Sequence, residues 1–198
     1  MVAIIDKAAG ILLRPVETIR GMREESLGDA FQFYGVLLVL YAILSSLFGL
    51  TGGFSFFPWG AMSGLSTRFG FLPAMFFLFL VVGTILFFLV GLLLGGALLH
   101  LFVYLVGGKK GIEQTLKAVM YSTTPVFVFG WIPLIGFFAA IYTLVLEILA
   151  VRELQEISTG RAILAVLLPF LLVLLLIVLA LSFFLIAFST TGPAWITG

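Results

Sequence analysis

The chain has a single histidine, His100, and one carboxylate, Glu147, set near the inner end of an otherwise apolar segment. These residue types can relay a proton or hold a cation. An ionised carboxylate at mid-bilayer costs about 3 kcal/mol, so a carboxylate in a membrane segment is a functional hypothesis by default. The apolar runs carrying the two residues reach polar boundaries within a few residues, at Gly107 and Arg152, which places both side chains at similar depth. A His100 to Glu147 contact is expected if the two helices adjoin. The plainer readings are an interhelical hydrogen bond for His100 and, for Glu147, access to interfacial water or to Arg152 one turn away. Tyr104 and Gly96 lie four residues from His100 and share its face.

Ser122, Thr123 and Thr124 precede Pro125, whose ring frees a backbone carbonyl. The three hydroxyls either line a water-filled break or supply the missing donor. With one His and no Cys, neither a His-Cys pair nor an H-E-x-x-H zinc site can be built, and nucleophile-elbow and phosphate-loop patterns are absent. The expectation is a non-enzymatic protein without metal or cofactor.

The elements that must position these residues are apolar. Of the 198 residues, 63% are hydrophobic and 10% charged, against about 25% charged in soluble domains. Lys, Arg, Asp and Glu are absent from Phe31 to Thr67 and from Phe69 to Gly108. A net charge of +1 and no basic tract exclude a nucleic-acid surface.

Residues 1–30 read as an amphipathic cytoplasmic segment lying on the membrane, with Ile4, Ile5, Ala8, Ile11 and Leu12 at helical spacing and acidic residues balancing basic ones. Ser26 and Asp29 have capping-box spacing before a first span from Phe31 to Leu50. Thr51 to Phe71 reads as an interfacial loop rich in Gly and aromatics. The run from Leu72 to Val106 predicts one long, tilted or protruding helix, ended by Gly107 and Gly108. A short third segment follows from Ile112, broken at Pro125 and turning at Gly130 to Pro133. A fourth runs from Leu134 to Val151, and a fifth from about Ala162 to Phe188 is kinked at Pro169. Gly83, Gly91 and Gly95 share a ridge that permits close helix packing.

The fold expected is therefore all-α: five transmembrane helices over residues 31–190, an N-terminal amphipathic interfacial helix, and a short extracytoplasmic tail, 191–198. With the N-terminus inside, nine basic residues fall on the cytoplasmic side and one, Arg68, on the other. A re-entrant hairpin over residues 112–151 gives the same bias with three crossings, so the crossing count turns on the Gly130 to Pro133 loop.

Gln114 to Pro125, Gly130 to Gly136, and Leu154 to Pro169 with Ile157-Ser158-Thr159-Gly160 together resemble the Yip (Ypt-interacting protein) domain family in its prokaryotic form. The resemblance implies five spans, a cytoplasmic N-terminus and, in a prokaryotic cell, the cell membrane. Eukaryotic relatives act in vesicle traffic, binding Rab-type GTPases and one another. Their Asp-Leu-Tyr-Gly-Pro motif is missing here and the N-terminal region is short, so a GTPase partner does not carry over. The partners expected are the lipid bilayer and copies of this chain or other membrane proteins, in a membrane-organising role. A small transporter or channel component for an ion, lipid or small molecule is the alternative.

Overall fold

The computed structural model describes residues 2–50 and 72–191, within which all regular structure is helical. Eight helices follow in order: α1 (Val2–Leu13), α2 (Pro15–Gly21), α3 (Leu27–Leu50), α4 (Leu72–Leu105), α5 (Ile112–Ser122), α6 (Thr124–Phe129), α7 (Pro133–Gln155) and α8 (Thr159–Thr191). Among the described residues, four segments are long and apolar enough to cross a membrane: Leu27–Leu50, Ala74–Leu105, Pro133–Gln155 and Thr159–Ile186. They mark a multi-pass membrane protein. The expected interfacial loop, 51–71, and the tail beyond residue 191 lie outside the described residues.

The expected third span is the α5–α6 pair, broken at Thr123 and too short in either piece to count among the four. It is nevertheless the centre of the molecule. α5 packs on α3, α4 and α7, and buries Thr115, Lys117, Ala118, Met120, Tyr121 and Ser122. α6 is pinned by Phe127, whose ring lies 5.0 Å from those of Tyr34 on α3 and Phe88 on α4.

Local chemistry explains the ends. Asp29 N–H donates to Ser26 Oγ at 3.1 Å and Ser26 N–H to the Asp29 carboxylate at 3.3 Å, a reciprocal capping box that starts α3. Pro15 and Pro133 begin α2 and α7, where a missing N–H costs nothing. α4 is one unbroken helix, about 50 Å at 1.5 Å per residue, and longer than a bilayer core needs. It stops where Gly107 takes a φ of +97°, a conformation few residues other than Gly adopt. α8 runs through Pro169 without interruption.

The N-terminal helices depart from the expectation of an apolar stripe turned to the membrane. Ala8, Ile11, Ile19 and Met22 are buried in the protein core, with α2 packed on α7 and α1 on α2 and α6. Gly10 lets the two helices approach: a Cβ there would meet Thr18 Oγ1 at 2.9 Å.

Candidate functional site

One end of the bundle gathers the start of α3 and α5, the ends of α4 and α7, and the start of α8. Between membrane helices apolar contact gives little net drive, because lipid is as apolar as the core, so hydrogen bonds and close packing matter more. This rim supplies them. Lys117 is fully buried, yet its Nζ donates to the main-chain carbonyls of Arg23 at 2.7 Å and Glu25 at 2.8 Å. Those carbonyls belong to the link between α2 and α3. One turn along α5, Tyr121 donates its hydroxyl to the Glu25 carboxylate at 2.7 Å, and Lys7 on α1 pairs with the same oxygen at 2.6 Å. The Lys7 ammonium also faces the rings of Phe33 and Tyr121 at 5.3 and 5.6 Å.

A second set ties the same link to α7. Arg20 donates to Glu153 at 3.0 Å, and Arg152 to the other oxygen of that carboxylate at 2.7 Å. Arg23 pairs with Glu156 at 2.6 Å and donates to the Glu153 carbonyl, while Lys110 closes on the second oxygen of Glu156. The hydrogen bond from Lys110, and then its charge and that of Arg23, hold the Glu156 carboxyl below the ordinary carboxylate range. Glu156 caps α7 at a φ of +53°, a left-handed conformation that costs a non-glycine residue about 1 kcal/mol, and the paired cations hold it there.

His100 belongs to a third set. Its Nδ1 lies 2.8 Å from Thr115 Oγ1, which also accepts from Gln155 Nε2 at 3.0 Å. Gln155 donates in addition to the Gly111 carbonyl at 2.9 Å and accepts from Lys110 N–H at 3.1 Å, locking the turn from α4 to α5 onto α7. The interhelical bond expected of His100 is thus present, but its partner is Thr115. Among the described residues no hydrogen bond joins His100 to Glu147, which is half-buried and unpartnered. Tyr104 is exposed.

The three hydroxyls turn back on the last turn of α5. Ser122 donates to Val119 O at 3.0 Å, Thr123 to Met120 O at 3.0 Å and Thr124 to Tyr121 O at 2.7 Å. Tyr121 O is the acceptor that a residue 125 N–H would have served, so Thr124 replaces the donor Pro125 lacks. The glycine ridge is a correction. Gly83, Gly91 and Gly95 are exposed with nothing among the described residues within 4 Å of an added Cβ, whereas at Gly96, one position on, it would meet Leu116 on α5 at 2.6 Å. The model of the Yip1 domain matches residues 9–190.

The chain belongs to the Yip1 domain family.

No curated protein and no solved structure matches it. The match covers α2 to α8 and all of the rim except Lys7. Within this Yip1 domain, sequence reasoning overlooked Lys117, Glu25, Thr115, Glu153 and Gln155 as members of one network. The one available signal was the i, i+4 spacing of Lys117 and Tyr121, which puts a cation and a phenol on one face of α5.

Proposed function

We propose that this Yip1 domain is a non-enzymatic membrane organiser: a five-crossing scaffold, N-terminus cytoplasmic and C-terminus outside, that associates in the membrane plane with itself or other membrane proteins. The observation that carries this reading over transport is the direction of the hydroxyls. Ser122, Thr123 and Thr124, the residues that would line a passage, all donate to carbonyls three residues back in the chain, on α5. The surface offered to neighbours is large: from Phe170 to Ile186 every side chain of α8 is exposed. Single-molecule photobleaching of the labelled full chain in vesicles tests association. Two-step bleaching that persists on dilution with lipid is expected, and single steps at every dilution overturn the association.

Five crossings require the Gly130 to Pro133 turn to reach the outside. Ile132→Cys in the cysteine-free chain is then labelled by an impermeant reagent added outside, and protection there favours the re-entrant arrangement.

A second reading, as a transporter component, rests on Glu147 and on Thr143 one turn earlier on its face, whose buried hydroxyl has no partner among the described residues. Under it, proteovesicles conduct protons or cations and Glu147→Gln abolishes the flux. Flux equal to protein-free vesicles removes this reading.

A further inference from the structure

The α1–α2 pair does not lie on top of the charged rim. Tyr142 donates its hydroxyl to the Leu12 carbonyl at 2.8 Å. Along α7 Tyr142 is about 15 Å from Arg152 at 1.5 Å per residue, half of a hydrocarbon core about 30 Å thick, and a tyrosine side chain cannot bridge that distance. At its other end α1 is tied near the rim by Lys7 to Glu25, and α2 returns to the rim by Arg20 to Glu153. α1 therefore slopes inward, the chain turns at Leu13, Arg14 and Pro15, and α2 climbs back, closed on α1 at Gly10 and Thr18. This is a short re-entrant hairpin on the flank of the bundle.

Its outer face is amphipathic, with Ile5 and Leu13 exposed beside the charged Asp6, Arg14, Glu17 and Arg20. While Ala8 and Ile11 are buried, Ile5 is 63% and Leu13 80% exposed. Leu13 follows the residue bonded to Tyr142, whose chain neighbour Ile141 is an exposed apolar residue of a membrane span. At the turn, Arg14, Pro15, Val16 and Glu17 line a shallow depression, and the Arg14 guanidinium has no protein partner among the described residues. A long arginine stem can carry its charge toward the headgroups from below.

We propose that the α1–α2 hairpin is seated in one leaflet only, with Ile5 and Leu13 against acyl chains and Arg14 on a lipid phosphate, so that it acts as a one-sided wedge. The proposal rests on the organiser reading and gives it a lever on bilayer shape, since volume added to one leaflet alone favours curvature. The hairpin is small and is held by ion pairs of Lys7 to Glu25 in the link before α3 and of Arg20 to Glu153 on α7, so its insertion does not depend on association between copies.

The test uses the full chain, which has no cysteine, in vesicles of phosphatidylcholine and phosphatidylglycerol. Nitroxide labels are placed singly at Ile5→Cys and Leu13→Cys, with Ile141→Cys as the lipid reference and Glu24→Cys as the rim reference. Relaxation by oxygen, which concentrates in acyl chains, relative to an aqueous nickel chelate is expected to be severalfold higher at Leu13 and Ile5 than at Glu24, and to match Ile141. Replacing Arg14 with Gln is expected to remove any dependence of the Leu13 ratio on phosphatidylglycerol content. Values at Leu13 equal to those at Glu24 overturn the insertion, and shielding from both agents does so as well by showing a second copy on that face. For the wedge itself, wild-type protein is expected to reduce vesicle radius and the exposed pair Ile5→Ser, Leu13→Ser to lose that effect at unchanged helicity. Vesicles no smaller than protein-free ones overturn it. Photobleaching reads association separately, so failure of the wedge and failure of the scaffold are distinguishable.

Discussion

Lys117 and Glu25 are joined through the backbone: a wholly buried ammonium donates at 2.8 Å to the Glu25 carbonyl, while that residue's carboxylate is held by Tyr121 and Lys7. Removing the lysine strands the Glu25 carbonyl in a dry site and leaves the Arg23 carbonyl only the longer bond from Gln114 Nε2 at 3.3 Å. Lys117→Met is therefore expected to destabilise the fold by about 3 kcal/mol, and to loosen the link before α3. Wild-type protein in detergent should resist trypsin at Arg20 and Arg23, and the variant should be cut there first. Equal cleavage rates and equal thermal midpoints would mean that Lys117 does not hold the link.

The rim also sets an acid limit. Glu156 has its carboxyl lowered from an ordinary value of 4.5, chiefly by the Lys110 hydrogen bond. A carboxyl lowered by folding adds stability that is complete above its unfolded value and disappears as pH falls through the lower folded one. The thermal midpoint of wild type should exceed that of Glu156→Gln at about pH 7, and the gap should close toward about pH 3. A gap independent of pH would place the effect in packing or in the left-handed backbone at residue 156.

Much of this fold was legible because the deciding signals were local. Ser26 and Asp29 announced the start of α3, Gly107 the end of α4, and the Thr-Pro sequence the break between α5 and α6. The partners were not legible, because lipid and core are equally apolar and a membrane helix shows little pattern to say which face is inside. That is why the ridge of Gly83, Gly91 and Gly95 was picked for packing when Gly96 makes the contact. It is also why Thr115, not Glu147, proved to be the neighbour of His100. Pairs such as Arg20 with Glu153 join residues far apart in the chain, and charge counting assigns them only to a common side.

The Thr124 hydroxyl makes a sharper test of the break. Thr124→Val leaves the Tyr121 carbonyl without a donor and should cost about 1–2 kcal/mol, whereas Thr124→Ser keeps the bond. Adding Pro125→Ala to Thr124→Val restores an N–H in register with that carbonyl and should recover most of the loss, as read by denaturant titration of helicity in mixed micelles. Additive losses in the double variant would show that the hydroxyl does not stand in for the missing amide.

The glycines of α4 separate folding from association. At Gly96 a Cβ meets only the flexible end of Leu116 at 2.6 Å, so Gly96→Ala should be mild, but the branched Gly96→Val should push α5 away from α4 and cost about 1–3 kcal/mol. At Gly91 and Gly95 an added Cβ meets nothing within 4 Å among the described residues, so Gly91→Val and Gly95→Val should leave the thermal midpoint unchanged. If copies of the chain meet along that ridge, these two variants alone will lower the two-step fraction in photobleaching. A destabilised Gly91→Val would instead mean that α4 packs in another register, with the Gly91 ridge turned toward the core.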